Sequence, residues 1–195
     1  MPNHPEPHPV KPRPPMPGGK RKNAPRISDM IRVDHAGEYA AVAIYKGQQA
    51  VFARNAKTQK IARQLGEMEA EEQKHLAAFD EMLITRGIRP TALAPVWNAA
   101  AYGLGVATAL MGEKAAHACT EAVENVIEQH YGEQAAEVAE EEPELAATFA
   151  EFREDELHHR DTAVEQGAHE APGYGILSRV ITAGCHAAIK ITEKI

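Results

Sequence analysis

The stretch EMEAEEQKHLAAF, Glu67 to Phe79, decides the fold according to which of its carboxylates shares a face with its single histidine. Four glutamates (Glu67, Glu69, Glu71, Glu72) precede His75, and the run holds no Gly, Pro or β-branched residue. Such a composition favours helix. In a helix, residues three and four apart lie over one another. Stepping along the face of His75 gives Ile61, Leu65, Met68, Glu72, His75, Phe79 and Met82. That stripe is apolar except at Glu72 and His75, whereas Glu67, Glu71 and Lys74 turn to the wetter sides. A carboxylate and an imidazole one turn apart can grip one ion, and buried without a partner they would be costly.

The pattern returns in EFREDELHHRDTAV, Glu151 to Val164, which offers two registers. Asp155 and His158 fall among Thr148, Glu151, Thr162 and Glu165, a polar face. Glu156 and His159 fall among Leu145, Phe149, Phe152 and Ala163, an apolar one. Glu156 and His159 are therefore the inward pair, and Asp155 and His158 are left to solvent or to hydrogen bonds behind it. Two other helices supply lone inward acids. Glu38 sits on a stripe with Ile31, Tyr45 and Phe52, and Glu124 is flanked by Thr120, Val123, Ile127 and Tyr131. Glu121, sharing a face with Lys114, Asn125 and Glu128, reads as solvated. Glu38 precedes Glu72 by 34 residues and Glu124 precedes Glu156 by 32, so the chain reads as two helix pairs, each contributing Glu…Glu-x-x-His.

The helices delimit themselves. The first starts at Ile27 with Ser28 as N-cap, and the second spans about Thr58 to Arg86, ended by Gly87 and Pro90. A third runs from the Pro95 region to about Tyr131, with Gly132 as its stop. A fourth runs from Pro143 to about Gln166, and a last amphipathic segment covers Ile176 to Ile195. Short connections between long helices make antiparallel neighbours, so the expected fold is an all-α antiparallel four-helix bundle with additional helical segments.

A chain of 195 residues suits one domain with a full core. Its net charge of −7 offers nothing to neutralise a phosphate backbone, which excludes a nucleic-acid partner. The first 25 residues differ from the rest. They hold nine of the 13 prolines and five Lys or Arg against Glu6 alone, which predicts a disordered tail and a folded domain over 26–195. Cys119 and Cys185 are the only cysteines, too few for a disulfide framework or a thiolate zinc site, and they suit a reducing compartment. No signal-peptide pattern opens the chain.

Four carboxylates and two imidazoles converging in a bundle carry too much negative charge to bury unpaired, and two divalent cations would neutralise it. Carboxylate-rich ligation with one His per metal suits iron or manganese rather than structural zinc. The ligand count resembles that of ferritin-like di-iron bundles. Which acids bridge and which chelate stays open.

The segments RVDHAGEYAAVAIYKGQ, EEQKHLAAFDEML, RPTALAPVWNAAAYGLGVATALMG, ACTEAVENVIEQHY and EFREDELHHRDTAV resemble the demethoxyubiquinone hydroxylase family of ubiquinone biosynthesis, over roughly Ile27 to Ile195. The resemblance implies two iron ions held by Glu38, Glu72, His75, Glu124, Glu156 and His159, the six residues the helical registers select. It implies a monooxygenase that uses O2 to hydroxylate the ring of a polyprenylated methoxy-benzoquinol. Electrons would come from NADH, from another reductant or from the quinol itself, and no GxGxxG motif announces a dinucleotide-binding domain. His130 and Tyr131 match a family His-Tyr pair linked to electron delivery; a Tyr closing the bundle core is the other reading of Tyr131.

A lipid-borne quinol requires a route to a membrane. Pro90 to Gly112 is a 23-residue run without charge, but Pro90, Pro95 and Asn98 argue against a spanning helix. Trp97, Tyr102 and Leu104, joined by the final helix, fit an interfacial location. The expectation is a monotopic protein on the cytoplasmic side of the cell membrane, with lipid, a second copy or an accessory lipid-binding protein as partners. The alternatives are an iron-storage relative of ferritin and a di-metal oxidase acting on a soluble substrate.

Overall fold

The structure, a computed structural model, describes residues 24–195. The tail expected over 1–25 lies outside the described residues except for Ala24 and Pro25, which already begin the first helix. Six α-helices follow: α1 (Ala24–Phe52), α2 (Gln59–Arg86), α3 (Ala94–Leu110), α4 (Glu113–Val138), α5 (Pro143–Glu165) and α6 (Tyr174–Thr192). α1, α2, α4 and α5 form the four-helix bundle, with α3 laid on α1 and α6 on α4.

The inward stripes are those the sequence marks. Ile31, Glu38, Tyr45 and Phe52 are buried on α1, Leu65, Met68, Glu72, His75 and Phe79 on α2, and Phe149, Phe152, Glu156 and His159 on α5. Phe79, Tyr131, Phe149 and Phe152 interlock at one end of the bundle with ring centroids 5.7–6.4 Å apart. Phe152 also stacks on the His75 ring at 4.1 Å, which couples that aromatic cluster to the polar centre.

Three boundaries differ from the sequence reading. α1 begins at Ala24, so Ser28 lies inside its second turn instead of capping it. The expected third helix is two helices, because Gly112 at φ 115 holds a backbone conformation that ends α3 and redirects the chain into α4. Gly132 does not stop α4, which continues to Val138. Its missing side chain instead makes room for Arg153, whose Nε would lie 3.1 Å from a Cβ there and which donates to Glu128 at 3.0 Å.

The contact between α1 and α3 rests on two glycines. A Cβ on Gly105 would collide with the Ile44 carbonyl oxygen, and one on Gly47 with the Tyr102 carbonyl oxygen. Both obstacles are backbone and cannot swing aside. Gly105→Ala is therefore expected to force the helices apart and cost about 1–3 kcal/mol in denaturant unfolding. Gly103→Ala, with nothing within 4 Å of its Cβ, should be neutral or stabilising because alanine is the better helix former.

Candidate metal centre

Glu38 on α1, Glu72 and His75 on α2, Glu124 on α4, and Glu156 and His159 on α5 all point into the bundle and are buried. Their donor atoms form two overlapping sets. Glu38, Glu72, His75 and Glu156 bring one ligand atom each within 4.8 Å of one another, as do Glu72, Glu124, Glu156 and His159. Glu72 and Glu156 belong to both. Glu72 turns Oε2 to His75 Nδ1 at 3.6 Å and Oε1 to His159 Nδ1 at 3.0 Å. Glu156 repeats this, with Oε1 at 3.2 Å from His75 Nδ1 and Oε2 at 3.6 Å from His159 Nδ1. Two central carboxylates thus each offer one oxygen to either side, and one further acid and one imidazole complete each set.

Groups outside the cluster fix the imidazoles. His75 Nε2 lies 3.0 Å from Asp155 Oδ2 and His159 Nε2 lies 2.7 Å from Glu71 Oε2. With Nε2–H donating outward, both rings present Nδ1 to the interior. Asp155 fills a role the sequence allowed it. Glu71, read as facing the wet side, is a correction: it is half exposed, yet its carboxylate reaches over the helix to His159. Two more buried donors meet the cluster, Tyr45 Oη to Glu124 Oε1 at 2.7 Å and Tyr131 Oη to Glu38 Oε1.

The electrostatics suit a site that could hold cations. Burial is the largest effect on Glu38 and pushes its carboxyl up to about 7, against the pull of the His75 imidazole. Burial, reinforced by Glu156 and Glu72, holds Glu124 well above the carboxylate range. Burial alone would lower both histidines, but the carboxylates facing them outweigh it, Glu156, Glu38 and Glu72 at His75 and Glu156 and Glu72 at His159, leaving His75 strongly raised and His159 at about 12. Without metal the centre balances its charge with protons. Eight of the 15 buried side-chain nitrogens and oxygens lacking a hydrogen-bond partner among the described residues belong to these six side chains. Unpartnered carboxylate oxygens and imidazole nitrogens converging from four helices fit divalent metal, which would satisfy every one of them.

An apolar cavity of about 410 Å³ opens beside the centre, between α1, α3, α4 and α6. Ala101, Leu104, Val123, Ile127, Ile181 and Ile189 are typical of its wall. Its polar lining includes Asp34, Glu38, His130 and Tyr131. Asp34 is buried, accepts from Gln134 Nε2 at 3.0 Å and sits 3.4 Å from His130 Nε2. Of the three expected interfacial residues, Tyr102 is exposed, while Trp97 and Leu104 line the cavity. Trp97 is spent on a helix-to-helix tie, its indole N–H donating to Thr192 Oγ1 on α6 at 3.0 Å. Glu121 is the second correction. It is buried, and its Oε1 accepts from His169 Nε2 at 2.8 Å and Tyr174 Oη at 2.9 Å, because the α5–α6 connection folds over that side of α4.

Residues 25–192 match the family described as ubiquinone biosynthesis protein COQ7. The chain is a member of that family. A Rhodospirillum rubrum protein named 3-demethoxyubiquinol 3-hydroxylase is 44% identical over 177 residues, 91% of this chain and 82% of its own length. A Mus musculus protein named NADPH-dependent 3-demethoxyubiquinone 3-hydroxylase, mitochondrial, is 43% identical over 176 residues, 88% of this chain and 79% of its own. The Saccharomyces cerevisiae protein named 5-demethoxyubiquinone hydroxylase, mitochondrial, is 36% identical over 185 residues, 87% of this chain and 78% of its own.

The partners of the two imidazoles yield a direct test. Glu71→Gln and Asp155→Asn keep the size of the acceptor but remove its charge, and each is expected to weaken metal binding about 10- to 100-fold while leaving the fold intact. His158→Ala, whose side chain is exposed on the opposite register, should leave it unchanged. Metal titration of the three variants followed by equilibrium dialysis decides between them.

Proposed function

We propose that this chain is a di-iron monooxygenase that hydroxylates the ring of a polyprenylated demethoxyubiquinol with O2, late in ubiquinone biosynthesis. The observation that carries the reading is the pair of overlapping carboxylate–histidine sets opening onto an apolar cavity, in a member of a family whose relatives are named as 3-demethoxyubiquinol 3-hydroxylases. In this reading Glu72 and Glu156 would be shared by the two irons, Glu38 and His75 would help hold one, and Glu124 and His159 would help hold the other. The hard oxygen donors suit iron over softer metals. Two irons so held would supply the binding and reductive activation of O2.

The remaining steps belong to the protein's own residues. The bundle core and the aromatic cluster below His75 exclude bulk water from the centre. The apolar cavity takes the first part of the prenyl chain and orients the ring toward Glu38 and Tyr131. The Asp34–His130–Gln134 network supplies the polar contacts for the ring oxygens in an otherwise apolar space. His130 and Tyr131 line the cavity beside Glu38, and Tyr131 Oη donates to the Glu38 carboxylate; in this reading the pair delivers electrons, with NADH, another reductant or the quinol as the source, and the mouse relative is named NADPH-dependent.

No helix of the described residues is long and apolar enough to cross a membrane. A lipid substrate then calls for attachment to one leaflet, here on the cytoplasmic side of the cell membrane. Val96, Tyr102 and Leu110 on α3 and Ile176, Val180 and Ile191 on α6 are exposed, and Val180 also lines the cavity. With Arg179, Lys190 and Lys194 exposed on or beside α6, this face fits an acidic leaflet, and a second copy of the chain or an accessory lipid-binding protein would use the same face. The deciding experiment is anaerobic reconstitution with Fe(II), a demethoxyubiquinol, a reductant and O2, followed by mass analysis. A product one oxygen atom heavier is expected. Iron uptake with no quinol oxidation would return the chain to the iron-storage reading.

A further inference from the structure

Metal accounts for eight of the 15 unpartnered buried polar atoms, and three of the other seven share one face of α4. They are Nδ1 of His117, Oγ1 of Thr120 and Oε2 of Glu121. At helical spacing these three residues and Glu124 fall within about 100° of arc and two turns. A fourth unpartnered atom, Oε1 of Gln48, approaches from α1, since Gln48 Nε2 donates to the Ala116 carbonyl at 3.1 Å, one turn before Thr120. Left dry, each orphan would keep the full desolvation penalty of a buried polar atom. Buried water with several polar partners is the ordinary remedy. The outer end of this strip is open to solvent: Glu121 is bonded to His169, which is more than half exposed. Its inner end is Glu124, a member of the six-residue cluster. Burial holds the His117 imidazole neutral, its pKa pulled down to about 4, so it offers a lone pair or a single N–H and no charge.

We infer that Glu121 is the outer station of a proton path into the metal centre, running from His169 through Glu121 and water held by Thr120 to the side of the centre that Glu124 marks, with His117 and Gln48 holding water at the neighbouring turn. The inference rests on the hydroxylase reading. Ring hydroxylation converts a ring C–H, O2, two electrons and two protons into C–OH and water. The electrons come from a nicotinamide or quinol reductant, and the oxygen atom that leaves as water must take up its protons inside a closed site. His169 gains a proton from solvent and passes it to Glu121, and the water file moves it inward. Glu71 and Asp155 are two further polar exits, but His159 and His75 stand behind them, while the Asp34, His130 and Tyr131 side opens on the cavity that takes the quinol. With Nδ1 on metal and Nε2–H held by the acid, neither imidazole can relay. Glu121 is a relay and positioning residue; it touches neither substrate nor metal.

Glu121→Gln keeps the shape of the side chain and can still accept from His169 and Tyr174, but it cannot carry a proton. Its metal content and quinol KM should match wild type. kcat should fall at least about tenfold, the lower part of the range for losing a proton-transfer group. The solvent deuterium isotope effect on kcat should rise, and more peroxide should escape per reductant consumed. Glu121→Asp should restore part of the rate. Independently of turnover, a high-resolution crystal structure of the metal-loaded protein should show ordered water bonded to both Thr120 Oγ1 and Glu121 Oε2. An unchanged kcat and isotope effect in Glu121→Gln, loss of metal from it, or a dry gap between those atoms would each overturn the path. Failure of the wild-type protein to hydroxylate the quinol is a separate result that sinks the function, and the crystallographic water still decides whether the path exists.

Discussion

Glu72→Ala should empty the metal centre and abolish hydroxylation in a protein that still folds. Glu72 is fully buried and faces both imidazoles, one oxygen to each, so its loss removes a ligand from each set at once. Glu156→Ala should do the same. Glu38→Ala and Glu124→Ala each touch only one set and should leave one metal in place. His159→Ala should likewise remove one metal and stop turnover. Folding is expected to survive because the apolar clusters that hold the bundle together, around Phe79, Phe149 and Phe152 and around Phe52, Ile61 and Leu65, are untouched. Metal analysis of the purified variants, with circular dichroism as the check on folding, reads the pattern. Retention of two metals in Glu72→Ala would reject the shared-ligand arrangement. Proton release accompanies binding, since His75 and His159 are held protonated without metal and must lose those protons to ligate. Metal affinity should accordingly rise with pH.

The second large effect concerns the lipid. Ile176 and Val180 are 74% and 65% exposed on α6, an arrangement that gains only if an apolar phase covers them. Burying such side chains is worth about 1.5–3 kcal/mol each. The double variant Ile176→Glu, Val180→Glu should therefore lower binding to acidic liposomes by two orders of magnitude or more and reduce activity on a long-chain quinol in parallel. Activity on a short-chain water-soluble quinol should survive, because in the proposed function the ring sits deeper in the cavity, beside Glu38 and Tyr131. Sedimentation with liposomes and assays on both substrates separate the two effects. Equal loss on both quinols with metal still bound would mean that α6 shapes the ring site and that the substrate enters elsewhere.

How much of this was legible in the chain differs residue by residue. The six clustered side chains were readable because a helix has a fixed period: Glu72 and His75 interrupt an apolar stripe, and no other register of that helix does so. The same rule separated Glu156 and His159 from Asp155 and His158. It failed at Glu121, whose neighbours on its own helix are polar but whose cover comes from His169 and Tyr174, 48 and 53 residues further on. It failed at Glu71 for a related reason, since a long side chain on the rim of a helix can reach a partner that its backbone position does not face. The break at Gly112 and the continuation through Gly132 reversed the expected roles of two glycines. One sits where the chain must turn with positive φ and the other where Arg153 needs room, and a sequence shows the same letter for both.

By itself, then, the sequence determined the all-α bundle, its inward faces and the identity of the buried donors, because these follow from local periodicity and from the cost of burying charge. Only the tertiary structure decided which acids are shared between the two imidazoles. It alone showed that α3 and α6 enclose a cavity beside them, that Glu71 and Asp155 hold the imidazoles from outside, and that Glu121 is covered by His169 and Tyr174. Those outcomes depend on where side chains from different helices meet, and that is fixed by packing between segments far apart in the chain.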